Sequence, residues 1–319
     1  MTTTTHFSAL ATPRGANGHF AHEWRAGRWP VELPLPRVRA VRYLRLHPGS
    51  RCTFLYTVEG WQGAACIAKV YARPRPPLSQ TLASLQAAGL TAPARHRVPE
   101  VIAELPALRL VLLRVAPGRT AADMLQDGDL EATARAGEWL GAFHTAPIAL
   151  PTAYTLRYPL AQAARWHDRI ARHLPALANR AGALHTRLLN ARPQWPGEVR
   201  LIHGDFGAAH VFVAAETTTV IDWDSCRVGD PAEDGGRFIA SLWHLAARER
   251  ITRDDAVAGV WRFRAAYAAV QPRIAARLPF YAALACLRKA ARLARHGERQ
   301  QHQAEALLTA GQAEIGGVS

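Results

Sequence analysis

Two hydrophobic rhythms share this chain, and their order restricts the fold more than any other feature. Residues 38–46, 52–58, 65–71, 98–103 and 108–115 alternate apolar with polar residues or run as short β-branched and aromatic blocks, the pattern of strands. Among them only residues 78–88 carry helical spacing, closed by Gly89. Beyond Pro117-Gly118 the rhythm changes. Residues 120–126, 130–145, 159–174, 176–190, 234–249, 254–269, 279–296 and 298–310 repeat their apolar positions at helical intervals. One hairpin-like β island, residues 199–224, interrupts them. Strands first and helices afterwards predict an α+β protein of two lobes, a five-stranded antiparallel sheet with one helix followed by a mostly helical lobe. The expected division is an irregular N-terminal arm with a short helix at 1–37, a first lobe at 38–116 and a second at 117–319. A chain of 319 residues, 49% of them hydrophobic, has material for two such cores.

The formal charge of +14 would suit a nucleic-acid or membrane surface. The sequence argues otherwise. Its arginines are scattered through helical segments, with no compact basic tail, aromatic RNA-binding signature or zinc-finger spacing. No run of about 18 apolar residues marks a membrane span. Cys52, Cys66, Cys226 and Cys286 match no metal-ligand spacing. With no basic-then-apolar leader pattern after Met1, reduced thiols and a cytoplasmic location are expected.

The island carries the chemistry. It reads Leu201-Ile-His203-Gly-Asp205-Phe-Gly-Ala-Ala-His210-Val-Phe-Val213, then Val220-Ile-Asp222-Trp-Asp224, with Gly229-Asp230-Pro231 following. Two short apolar strands flank a polar loop, and a second carboxylate closes the hairpin. Phosphoryl transfer needs such a set: one carboxylate to take or orient the proton of the attacking hydroxyl, and separate ligands for cations that bridge phosphates. Lys69 is a second anchor. The chain uses arginine almost everywhere and has lysine only at 69 and 289. A compact ammonium kept inside an apolar strand differs physically from a guanidinium fork.

With its neighbours, the series His203–His210, Ile221–Asp224 and Gly229-Asp-Pro-Ala-Glu-Asp234 resembles the signature of the aminoglycoside phosphotransferase and choline kinase superfamily, whose fold is similar to that of protein kinases. The resemblance spans roughly residues 38–300. It implies an ATP-dependent kinase acting on a small-molecule hydroxyl, with ATP held between two lobes. It implies Asp205 as catalytic base, His203 as a brace of the catalytic loop, Asp222 as metal ligand and Asp234 as the tie from loop to helix. Lys69 would hold the α- and β-phosphates, and Leu113 and Val115 would meet adenine along the hinge. The turn at 47–52 stands where the phosphate-covering loop belongs, with Arg51 as a further phosphate contact.

Two departures stand out. His210 occupies the place of an Asn that ligates the second metal in that superfamily. Imidazole suits softer ions better than magnesium, so Mg²⁺ is expected, with Mn²⁺ as its alternative. The helix at 78–88 also lacks the glutamate that pairs with the lysine, offering Gln80 and Gln86 instead, while Glu100 and Glu104 come later. Those departures motivate an alternative, a nucleotide-binding pseudokinase with a scaffold or regulatory role. A metal-dependent phosphoesterase using His203, Asp205, His210 and Asp222, and a nucleic-acid binder, complete the set of rivals. The acceptor is not named by the sequence, although a strongly basic chain is a poor match for polycationic aminoglycosides.

Overall fold

A computed structural model describes residues 3–61, 63–74, 78–149, 159–193 and 198–316. They form two compact units, one of residues 1–87 and 98–116, the other of residues 88–97 and 117–319.

The first unit opens with helices α1 (Thr3–Leu10) and α2 (Pro13–Arg25), followed by strands β1 (Arg37–His47), β2 (Arg51–Glu59) and β3 (Ala65–Tyr71), and by helix α3 (Leu78–Ala87). The chain then leaves to contribute β4 (His96–Arg97) to the second unit. It returns for β5 (Val101–Leu105) and β6 (Leu110–Arg114). The sheet is antiparallel throughout, in the order β1-β2-β3-β6-β5. β5 begins at Val101, three residues later than its apolar run, because Pro99 has no N–H to give a ladder. Strand alternation puts Cys52, Phe54, Tyr56 and Val58 of β2 on one buried face with Cys66, Ala68 and Val70 of β3.

Instead of an irregular arm, the N-terminus supplies the cover of that face. Phe7 and Leu10 of α1 and Ala16 and Phe20 of α2 join the same core. Asn17 completes the join: its side-chain amide donates to the Val38 carbonyl (2.9 Å) and accepts from the Val38 N–H (2.8 Å), imitating a neighbouring strand. Asn17→Leu is expected to leave both backbone groups unpaired and lower unfolding stability by about 1–3 kcal/mol, measurable in urea. An unchanged midpoint would mean that solvent replaces the pair.

The second unit continues with β7 (Arg119–Thr120), α4 (Ala121–Gln126), α5 (Glu131–Thr145), α6 (Ala163–His173), α7 (Ala178–Asn190), β8 (Arg200–Ile202), β9 (Val211–Val213), β10 (Thr218–Val220) and β11 (Arg227–Gly229). It ends with α8 (Ala232–Ala247), α9 (Arg253–Val270), α10 (Pro272–Ala275), α11 (Leu278–Leu293) and α12 (Gln301–Gly316). The island is more than a hairpin. β9 and β10 recruit two distant two-residue strands into a sheet of order β4-β10-β9-β7, while β8 pairs with β11. Residues 88–97, inside the stretch expected for the first lobe, therefore belong here. β4 lies parallel to β10, and the Trp139 indole donates to the Arg97 carbonyl (3.0 Å). The helix expected at 279–296 stops at Leu293, and a 3₁₀ segment with Gly297 at φ +66° turns the chain into α12.

Close helix packing sets the frame behind the island. A Cβ on Gly236 of α8 would strike the Tyr281 backbone of α11, so the two helices meet at van der Waals distance only because residue 236 has no side chain. Arg135 of α5 reaches out to the β9–β10 turn, donating to the Ala214 and Ala215 carbonyls (3.3 and 3.2 Å) and to Thr218 Oγ1 (3.2 Å). Among the described residues no helix is long and apolar enough to cross a membrane.

Candidate active site

The second unit brings His203, Asp205, His210 and Asp222 together, and one imidazole makes the join. His203 is fully buried. Its Nδ1 accepts from the Asp205 N–H (3.2 Å), and its Nε2 lies 2.9 Å from the Ile221 carbonyl. A carbonyl can only accept, so Nε2 carries the proton and the ring is satisfied as the neutral tautomer. Burial pushes its pKa down, against the raising pull of Asp234. The loop bearing Asp205 is thus tied to the backbone immediately before Asp222.

The loop has a second tie. Asp234, in the first turn of α8, is fully buried, and its carboxylate accepts from the N–H groups of His203 (2.6 Å) and Gly204 (2.8 Å). Burial alone would raise its pKa. The imidazole of His144 (Nε2 3.6 Å away), with the Gly204 N–H, holds it below the usual carboxylate range instead. Gly204 has φ +76°, and any Cβ there would collide with the Ser225 carbonyl and the Arg227 guanidinium. The tight passage between His203 and Asp205 therefore requires glycine. A few residues upstream, Asp230 accepts from Arg277 Nε and Nη2 (3.0 and 2.9 Å), the Tyr281 hydroxyl (3.0 Å) and the Ala232 N–H (2.9 Å), pinning the start of α8 to α11.

Asp205 itself is 43% exposed at the side chain, with Arg237 Nη1 at 3.9 Å. Its backbone is fixed while its carboxylate faces outward, the disposition a proton acceptor needs. His210 bonds through Nδ1 to the Asp205 carbonyl (2.8 Å), so Nδ1 carries its proton. In the neutral ring this leaves the Nε2 lone pair facing Asp222 Oδ2 at 3.7 Å. Donors of an octahedral ion at ~2.1 Å lie ~3 Å apart when adjacent and ~4.2 Å when opposite, so the two atoms stand between these separations and would have to close by roughly 0.7 Å to share one divalent cation as neighbours. Among the described residues no three His, Cys, Asp or Glu side chains cluster as a metal site. Two protein donors suit an ion that draws its other ligands from phosphate and water, and the nitrogen favours Mn²⁺ over Mg²⁺. Asp222 adopts a left-handed backbone, φ +67° and ψ +56°, where Asp is among the few tolerated side chains.

The remaining sequence-derived residues lie in the first unit. The register sets Lys69 opposite Thr53 and Val111, Arg51 opposite Tyr71, and Leu113 opposite Ile67. Arg51, Lys69 and Leu113 therefore share the sheet face opposite the α1–α2 core. Lys69 and Leu113 are buried there, and Val115, just past β6, is 40% exposed. Glu104 stands opposite Val111 on the same face, and its carboxylate accepts from the Ser79 hydroxyl and N–H at the start of α3. Glu100 binds Arg114 (2.7 and 3.0 Å). The 47–50 turn is closed by a Ser50 N–H to His47 carbonyl bond (3.0 Å), with Gly49 at φ +69°.

Sequence reasoning missed Arg237, which meets Asp205 only because α8 runs behind the loop. It noted Lys289 as one of two lysines and drew nothing from it, although the composition argument applied to Lys69 applied there equally.

Residues 53–273 match the model of a phosphotransferase enzyme family. No curated protein sequence matches the chain. Solved structures do. A choline/ethanolamine kinase family protein from Mesorhizobium loti is 15% identical, covering 93% of this chain and 95% of its own, with a TM-score of 0.55. The aminoglycoside phosphotransferase APH(4)-Ia, in a ternary complex with ADP and hygromycin B, is 17% identical over 87% and 94%, TM-score 0.57. A macrolide 2′-phosphotransferase type I is 20% identical over 95% and 97%, TM-score 0.55. At these identities the likeness is one of fold, and the fold is the two-lobed α+β fold expected from the order of strands and helices.

Proposed function

This chain belongs to the phosphotransferase enzyme family, and we propose that it transfers the γ-phosphoryl group of ATP to a hydroxyl of a small molecule. The observation that carries this reading is the join made by His203, which fixes the backbone of Asp205 and the backbone preceding Asp222 through one neutral imidazole. In this reading Asp205 is the catalytic base, with its half-exposed carboxylate taking the proton of the acceptor hydroxyl. His203 and Asp234 are positioning residues that hold the loop's N–H groups. Asp222 and His210 Nε2 would hold Mg²⁺ or Mn²⁺, which when bound neutralises phosphate charge. Lys69, with Arg51 beside it on the sheet face, would meet the phosphates, and Leu113 and Val115 would meet the adenine. The unit of residues 1–87 and 98–116 would then be the nucleotide-holding lobe, and that of residues 88–97 and 117–319 the catalytic and acceptor lobe. The solved phosphotransferase that carries ADP and hygromycin B supports a nucleotide and a small-molecule acceptor for this fold.

Thermal unfolding with a non-hydrolysable ATP analogue tests the nucleotide half. The wild type should gain stability when the analogue and a divalent ion are both present, about 2.7 kcal/mol at a hundred times Kd. Lys69→Ala should lose most of that rise. No response to any nucleotide would remove the ATP reading.

A further inference from the structure

The face of α8 turned toward the catalytic loop is cationic, with Arg237 Nη1 3.9 Å from Asp205. One face of α8 carries Arg237, Ser241 and His244 at helical spacing, and Ser241 Oγ accepts from the Ala208 N–H (3.0 Å), which turns this face toward the catalytic loop. The close approach of Gly236 to Tyr281 sets α11 alongside. Asp230, just before α8, bonds Arg277 and Tyr281 at the start of α11, so both helices run from a common end, with His244 eight residues beyond Gly236 and Lys289 eight residues beyond Tyr281. A helical side chain leans toward its N-terminus, which brings the Lys289 ammonium back from the level of His244 toward that of Arg237. Lys289 feels the charges of Asp205 and Arg237, and among charged groups it acts most strongly on His244.

Two carboxylates of α8 that could serve a cationic acceptor are already engaged. Glu233 is buried between Arg227 and Arg237, bonding Arg237 Nη2 at 2.6 Å and also the Arg227 guanidinium. Asp234 is committed to the loop N–H groups. Two guanidiniums thus share one carboxylate, and among the described residues the half-buried Lys289 ammonium makes no hydrogen bond or ion pair. Its neighbourhood adds the like charge of Arg292. Burial and the like charges of Arg292 and Arg237 oppose the Lys289 charge while Asp205 favours it, so a visiting anion would stabilise the ammonium further.

We propose that the hydroxyl acceptor bears its own anionic group, a phosphate or a carboxylate, received by Lys289 and Arg237 next to Asp205. The inference rests on the phosphotransferase reading above and names the acceptor class. In the step itself, the acceptor oxygen bonds to the γ-phosphorus of the nucleoside triphosphate as the bond to the β–γ bridging oxygen breaks. The electron pair leaves on the nucleoside diphosphate, and the hydroxyl proton passes to the Asp205 carboxylate. The anionic group orients the acceptor and is unchanged.

The composition of the chain supplies the test, because amine acylation can reach only two lysines and the N-terminus. Burial lowers the Lys289 pKa, which increases the reactive free amine. The full-length protein would be labelled with an acylating reagent, with and without the ATP analogue and Mg²⁺, and each site read by peptide mass spectrometry. Four hydroxyl compounds would be compared: glycerol 3-phosphate, glycerate, glycerol and choline. Labelling of Lys289 should fall by about tenfold with an anion present at about ten times its Kd, and remain unchanged with glycerol or choline. Protection by glycerol 3-phosphate alone would assign a phosphate monoester, and protection by both would assign an anionic group of either kind. Equal protection by choline, or none by either anion, would overturn the inference. Lys69 reports separately: its failure to be protected by the nucleotide would count against the phosphotransferase reading itself. If Lys289 proves unreactive, the same four compounds would be read by unfolding midpoint, and only the rise due to anions should vanish in Lys289→Met. Retention of that rise would overturn the proposal.

Discussion

Asp205→Asn is expected to lower kcat by about 10² to 10⁴-fold while nucleotide affinity changes little. Asparagine keeps the size and a hydrogen-bonding oxygen but cannot accept the hydroxyl proton, and a positioned base contributes a factor of this order. The fold should tolerate the change. The carboxylate is 43% exposed, and Arg237 at 3.9 Å keeps its stronger partner Glu233 at 2.6 Å, so the loss of the exposed pair costs under about 1 kcal/mol. Single-turnover phosphoryl transfer and analogue binding, measured on the same preparation, separate the two effects. A variant with wild-type turnover would take the role of base from Asp205. A variant that also loses nucleotide affinity would make the residue part of the binding site.

Asp234→Ala is expected to have the opposite signature, a large loss of stability together with activity. The carboxylate is fully buried and accepts from two backbone N–H groups, which alanine would leave without a partner beside the imidazole of His144. Removing one side of a buried charged network costs about 3–5 kcal/mol. Urea unfolding of the two proteins would measure it, and a difference below about 1 kcal/mol would assign the tie to something else. The pH dependence gives a second check. The folded-state pKa of Asp234 lies below its ordinary 3.8, so its contribution is complete above that value and is lost as pH falls through the depressed one. The difference between wild type and Asp234→Ala should therefore persist from neutrality to about pH 4 and shrink below it.

Charge was the least informative part of the sequence at the level of the whole chain and the most informative at one position. The total of +14 follows from arginines spread over many surfaces. Lys289 matters because it is one of only two lysines, and it is half-buried on α11, within the electrostatic reach of the candidate base.

The sequence by itself determined the two-part plan and the grouping of His203, Asp205, His210 and Asp222 around one hairpin. Strand alternation and helical spacing are local properties, and the five strands of the first sheet and the long helices follow from them. His203, Asp205, His210 and Asp222 are close in sequence around one hairpin, so their convergence was also nearly local. Tertiary structure alone decided the rest. β4 and β7 are two residues each, too short for any periodicity, and exist only because β10 and β9 offer edges to pair with. The N-terminal residues became the lid of the first core because Phe20 and Asn17 found β-strand partners far along the chain. Arg237 came to Asp205 because α8 runs behind the loop, and α11, which carries Lys289, is set against α8 by a contact that depends on a missing side chain at Gly236. Periodicity fixes which face of a helix is buried, but the neighbour that face meets is set by packing between segments distant in sequence, and no local pattern encodes it.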